Sequence, residues 1–231
     1  PAKSLQYQVT FISKTMDVLG NHNMRNFLIA LMLLLLPTLS WADEKTLTIF
    51  TPFVEPSERL LAWTDLSPRQ QEILLTVEDP NFWSHKGIDT RTPGAGMTTI
   101  TQALVKRLYF ENFTKGPLNK LRQSRIAQNR VHPNVAKETQ LNAFLNIAYF
   151  GHRQGVEIVG FEAAAQHFFY KPINALEERE YVLLVGLLIG PNRWKPGTED
   201  GEERADRIER LLAGGCEPKK NRDVYFEACS E

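Results

Sequence analysis

The segment EREYVLLVGLLIG, Glu178 to Gly190, is apolar on every side from Tyr181 to Ile189. A helix without a polar face must be enclosed by protein, so it predicts a buried central helix with others packed around it. The rest of the chain supplies those neighbours. In LSPRQQEILLTVED, Ser67 can cap a helix that has Pro68 at its first position and Gln70 three residues after the cap. Ile73, Leu74 and Val77 then share one face, and Glu78 ends the helix just before Pro80. A second helix starts near Thr98 with Ile100, Leu104 and Leu108 four apart. A third spans LNKLRQSRIAQNRV and is expected to close at His132-Pro133-Asn134, because proline disfavours helical geometry in the residue before it.

KETQLNAFLNIAYFG predicts a fourth helix with Leu141, Phe144, Leu145 and Ala148 as its stripe and Gly151 as the residue past its end. VEIVGFEAAAQHFF reads as a fifth, and a charged last helix covers about Glu202 to Leu212. Only KTLTIFTPFV, Lys45 to Val54, reads as extended, from its β-branched and aromatic residues. The fold expected is therefore mainly α.

Ahead of this lies Met24-Arg25-Asn26, the apolar run Phe27 to Leu36, and PTLSWA with Ser40 and Ala42 at cleavage-site positions. Ten apolar residues are too few to span a bilayer, which takes about 20. A cleaved export signal starting at Met24 is preferred over an uncleaved anchor, which places the protein in the periplasm or cell envelope. The divisions expected are residues 1–42 (upstream residues plus signal), 43–65 (extended lead-in), 66–213 (helical domain) and 214–231 (polar tail). In an oxidising compartment Cys216 and Cys229 could close a loop in that tail; no metal site is expected there.

The chain is formally neutral, which excludes a whole-protein field for nucleic acid. From Lys106 to Arg130, however, seven basic residues face Glu111 alone. The turn GAGMTTIT just before supplies hydroxyls and a helix start, so the two together are suited to phosphate or pyrophosphate.

Four segments resemble, in order, motifs of the peptidoglycan glycosyltransferases, glycosyltransferase family 51. VEDPNFWSHKGID matches the first through Glu78, Asp79, Phe82, His85, Gly87 and Asp89. GMTTITQALVKR matches the second through Gly96, Thr99, Ile100, Thr101, Gln102, Leu104 and Lys106. AKETQLNAFLNIAYFG resembles the fourth, and GFEAAAQHFFYKPINALEEREYVLLVGLLIGPNRWKP the fifth. The resemblance implies a lysozyme-like transglycosylase domain that polymerises lipid II and releases undecaprenyl pyrophosphate. It works at the outer face of the cytoplasmic membrane on lipid II and the growing glycan strand, with other cell-wall synthases as partners. Glu78 matches the general base. His85, Thr99, Thr101, Gln102, Lys106, Arg122 and Arg125 are the expected substrate-binding residues, with Mg or Mn as the divalent cation the chemistry leaves room for.

Two departures stand out. The stretch between the Gly-Ile-Asp ending and the second motif is about 14 residues shorter than in the family, which implies a reduced jaw lobe and a more open groove. No carboxylate lies between Lys120 and Arg130, where the family's third motif carries a second glutamate. Binding of peptidoglycan or its precursor without catalysis, and hydrolysis with Glu78 as a general acid, are therefore the alternatives. Desolvation of Glu78 by Phe82 and Trp83 would raise its pKa. Asp79, Asp89 and Glu180 are read as structural, Glu180 with Arg153 or Lys171 as partner.

Overall fold

In a computed structural model, which describes residues 44–96 and 98–230, the Glu178–Leu187 helix lies at the centre, with Tyr181 through Leu187 all buried. The helices are numbered here in chain order: α1 over residues 44–50, α2 Pro68–Glu78, α3 Ile100–Leu108, α4 Pro117–Ile126, α5 Lys137–Ile147, α6 Phe161–Phe169, α7 Glu178–Leu187 and α8 Glu199–Leu212. The one sheet among the described residues is the antiparallel pair β1 (Tyr149–Arg153) and β2 (Val156–Val159). All but the first two described residues lie in a compact unit, Thr46–Glu231. The proposed export signal lies outside the described residues, among which no helix is long and apolar enough to cross a membrane.

The local signals act as expected at α2. Ser67 accepts the Gln70 amide while Gln70 Oε1 accepts the Ser67 amide, a reciprocal cap that seats Pro68 at the helix start. Thr99 and Gln102 repeat the device at α3. Glu180 accepts both bonds from Lys171 Nζ, at 2.7 and 2.9 Å.

Several expectations are corrected. The segment read as extended, Lys45 to Val54, is helical: α1 runs into a 3-10 turn at Thr51–Phe53. Thr46, Phe50 and Phe53 recur at spacings of four and three and are buried, so helical period outweighs β-propensity here. Nor is this lead-in a separate piece. Asn142 of α5 donates to Phe53 O (3.0 Å) and accepts the Trp63 amide (2.6 Å), and Asn146 clamps both backbone groups of Leu61.

The third helix does end within His132-Pro133-Asn134, at Asn134, but Pro133 does not unwind the residue before it. The helix widens into a π turn at Ala127–Val131 and continues as a turn over His132–Asn134, with His132 still helical. The wider turn relieves the clash that a proline ring makes with an unbroken α-helix. Gly151 does not end α5. It sits inside β1 at φ +108°, where the register with β2 is irregular. The first residues of the expected fifth helix form β2, because Gly160 (φ +88°) breaks the chain before α6; its Cβ would stand 3.0 Å from Asn146 O.

The tail beyond residue 213 is part of the fold as well. Cys216 and Cys229 are bonded, with Cα atoms 5.4 Å apart, and Phe226 and Cys229 are buried with the core. The tail is tied to the short connection that follows Asp89. Gly94 N donates to Lys220 O (3.1 Å), Gly96 N to Asn221 O (2.7 Å) and Asn221 Nδ2 to Thr92 O (3.3 Å). A Cβ on Gly96 would lie 2.7 Å from Val224 Cγ1.

Candidate active site

Glu78 closes α2, and the residues after it tie that end to the start of α3. Asp79, wholly buried, accepts the Ile100 amide at 2.9 Å and the His85 ring at 3.0 Å on the same oxygen, Oδ2. His85 Nδ1 accepts the Gly87 N–H at 3.0 Å, which assigns the ring proton to Nε2 and makes it the donor to Asp79. Thr99 Oγ1 donates to Gly87 O at 2.8 Å and completes the circuit. Gly87 itself is left-handed, φ +88°, with its missing Cβ position 2.6 Å from Ala127 O. Asp89 accepts the Arg91 and Thr92 amides. Burial would raise its pKa, but those bonds and others from Thr92 and Asn81 outweigh it and hold the group at about 2.

In front of this circuit is a cavity of about 540 Å³ between α2, α3, α5 and α8, with the C-terminal tail as a further wall. Glu78 lines it beside apolar residues such as Val77, Ile100, Phe144 and Leu188. Glu78 is the one carboxylate among the described lining residues, against the cations Lys106, Arg107 and Arg204. Burial is the largest influence on Glu78, the Arg204 charge opposes it and Asp79 adds to it; the pKa rises to about 7. Neither residue of the expected desolvating pair lines the cavity. Phe82 is buried behind the site, between His85 (5.8 Å between ring centroids) and Lys137 (Nζ 4.1 Å from its centroid), and Trp83 is half exposed.

Of the residues expected to bind substrate, Thr99 and Lys106 reach the cavity. His85 stands behind it with both ring nitrogens engaged inside the protein. Thr101 is buried and donates to Gln140 Oε1 at 2.7 Å. Gln102 is drawn away by its own cap and by Ser124, to which its amide donates at 2.9 Å; it lines a neighbouring cavity of about 570 Å³. Arg122 and Arg125 are exposed on α4, Arg122 lying 5.1 Å from the Phe110 ring centroid. They are the part of the basic helix that turns from the site. Lys120 is the part that turns toward it: its Nζ donates to Thr98 Oγ1, on the cavity wall, at 2.9 Å. Burial and the nearby Lys106 charge lower its pKa to about 8.

Where a second acid was sought, Gln123 donates to Gln102 O (2.6 Å) and Ser124 accepts from Gln102, both structural bonds. Among the described residues no group of three or more His, Cys, Asp or Glu side chains is placed to hold a metal. The residue that sequence reasoning missed is Arg204. It sits on the buried face of α8 with Gly201, Ala205 and Ile208, at spacings of three and four. An arginine inside an otherwise apolar stripe was the available signal.

Comparison with known proteins gives the family. The family model described as transglycosylase matches residues 90–214. The chain is 34% identical to penicillin-binding protein 1B of Buchnera aphidicola subsp. Acyrthosiphon pisum over 140 residues, 54% of this chain and 18% of that protein. Identity to penicillin-binding protein 2D of Bacillus subtilis is 30% over 163 residues, 64% of this chain and 23% of that one. The biosynthetic peptidoglycan transglycosylase of Alcanivorax borkumensis is 29% identical over 169 residues, 65% of this chain and 66% of that protein. The aligned part is thus under a quarter of those two penicillin-binding proteins' length.

Proposed function

The chain belongs to the transglycosylase family, and on that premise we propose that it is a peptidoglycan glycosyltransferase that polymerises lipid II at the outer face of the cytoplasmic membrane. The observation that carries this is Glu78: a half-buried carboxylate, its pKa raised to about 7, and the one carboxylate among the described residues that line a cavity whose other charges are cationic. A group poised near the working pH is suited to proton transfer. In the proposed step the Glu78 carboxylate takes the proton of the acceptor sugar's 4-hydroxyl as its oxygen bonds to the anomeric carbon of the growing chain. The bond from that carbon to the pyrophosphate oxygen breaks, and the electron pair leaves with undecaprenyl pyrophosphate.

Negative charge grows on the leaving group, so donors belong beside it. Lys106, from the last turn of α3, lines the cavity, and the pair Thr98–Lys120 stands at its wall just before the first turn of that helix. The walls do not fit a resident Mg or Mn. Such ions take several oxygen ligands, and a single carboxylate among three cations does not supply them. A divalent ion would arrive on the substrate's pyrophosphate.

The want of a second carboxylate among the described residues that line the cavity favours one further reading, hydrolysis of glycan with protonated Glu78 as the acid. Incubating the full chain with labelled lipid II, with and without Glu78→Gln, separates the two. Polymer from the parent and none from the variant supports the transferase. Soluble fragments released from sacculi, without polymer from lipid II, would replace it with the hydrolase.

A further inference from the structure

Arg204 is 1% exposed, yet among the described residues no ion pair includes it. A guanidinium cannot shed its proton at neutral pH, and a buried charge without a carboxylate against it is unfavourable. The protein nevertheless builds a bed for it. Nε donates to Gly186 O at 2.8 Å and Nη1 to Val224 O at 3.0 Å. The Trp194 and Phe226 ring centroids lie 5.7 and 5.4 Å from its Cζ. Gly186 interrupts the apolar α7 at this spot, where a Cβ would meet Ile208 Cδ1 at 3.1 Å and Arg204 Cγ and Nε at 3.7 Å. Two carbonyls and two ring faces hold the group in place, and Glu78 supplies a carboxylate charge that acts on it. It opens on the cavity that Glu78 lines.

We propose that Arg204 is the positioning residue of this site, a fixed buried cation that favours the carboxylate form of Glu78, the form that can accept a proton. This rests on the role of Glu78 as base given above. The balance of groups around Glu78 supports it. Burial and Asp79 both favour the protonated acid, and Arg204 is the counterweight. His85 and Lys137 stand behind Asp79, engaged with it and with Phe82. On the other walls Lys106 and Arg107 come from α3, Tyr149 from β1 and Tyr225 from the tail. Lys106 and Arg107 are exposed, so solvent screens their charge more than that of Arg204. On α7 the nearest acids, Glu178 and Glu180, are engaged by Arg69 and Lys171.

A purely structural Arg204, clamping α7 and α8 to the tail, would alter stability when replaced but not the ionisation of Glu78. The test is therefore a carbon-13 NMR titration of the Glu78 carboxyl in the full chain, for the parent, Arg204→Met and Arg204→Lys. The midpoint is expected to rise by about one pH unit in Arg204→Met, as loss of a nearby opposite charge requires, and to return most of the way in Arg204→Lys. The acid limb of the lipid II polymerisation profile should move with it. An unchanged midpoint in a folded Arg204→Met variant overturns the proposal. Should Arg204→Met not fold, the Arg204 Nε–H resonance is read in Glu78→Gln: a shift supports the coupling, and an unmoved resonance overturns it. Absence of polymer from the parent would refute the glycosyltransferase reading while leaving the titration result standing.

Discussion

The Asp79 carboxylate accepts the Ile100 amide at 2.9 Å, a bond across 21 residues that joins the end of α2 to the beginning of α3. Because the same oxygen also takes the His85 ring, one buried acid holds Glu78 next to the Thr99 turn. Asp79→Asn should therefore lose about 1.5–3 kcal/mol, the range for hydrogen bonds to a charged group. Urea unfolding measures this. A variant as stable as the parent would show that the circuit does not hold the site.

Glu78 places a pH signature on stability. Its folded pKa of about 7 exceeds the unfolded value near 4.5, so the folded state holds the proton longer. Below about pH 4.5 both states are protonated and the site is not penalised; as pH rises toward 7 the unfolded chain ionises first and stability falls. The loss is of order 1–3 kcal/mol by linkage. Glu78→Gln should thus be more stable than the parent at pH 8 and close to it at pH 4, as thermal unfolding at the two pH values would show. The same carboxylate predicts polymerisation that rises with pH through about 7.

The Cys216–Cys229 bond closes a loop with a sequence separation of 13. Chain entropy for a loop of that size is about 3 kcal/mol. Reduction, or the Cys216→Ser, Cys229→Ser pair, should lower stability by about 2–3 kcal/mol and speed hydrogen exchange at Gly94 and Gly96, whose amides bond to the tail. Exchange at those two amides that ignores reduction would mean that the tail stays docked without its staple.

Gly87→Ala should be among the most damaging single substitutions. Its φ of +88° is unfavourable for an L side chain, and the new Cβ would meet the Ala127 carbonyl at 2.6 Å. Strain of this kind costs about 1–3 kcal/mol before the clash is counted. Gly155→Ala, at φ +83° with nothing within 4 Å, is the control for conformation alone and should cost less in the same denaturation measurement.

The helices were legible wherever cap and period agreed. Ser67-Pro68-Gln70 and Thr99-Gln102 are local devices whose atoms lie within one turn of chain, so the sequence contains all of their partners. Lys45 to Val54 carries β-branched residues together with the helical spacing of Thr46, Phe50 and Phe53, and the spacing prevails because it buries all three. Gly151 and Gly160 were ambiguous for another reason. A positive φ serves a helix end or an irregular strand equally well, and only the strand partner decides between them.

Sequence alone was enough to specify the helical class, the buried α7, the family resemblance and Glu78 as the residue to test. Tertiary structure decided which charges stand near Glu78. Of the seven expected contact residues, Thr99 and Lys106 reach the cavity, while Lys120, Arg204 and the tail became visible only once the chain was folded. The reason is distance along the chain. A carboxylate's ionisation depends on charges and walls within a few ångströms, and here Arg204 comes from 126 positions away, steadied by a tail carbonyl that no local pattern connects to it.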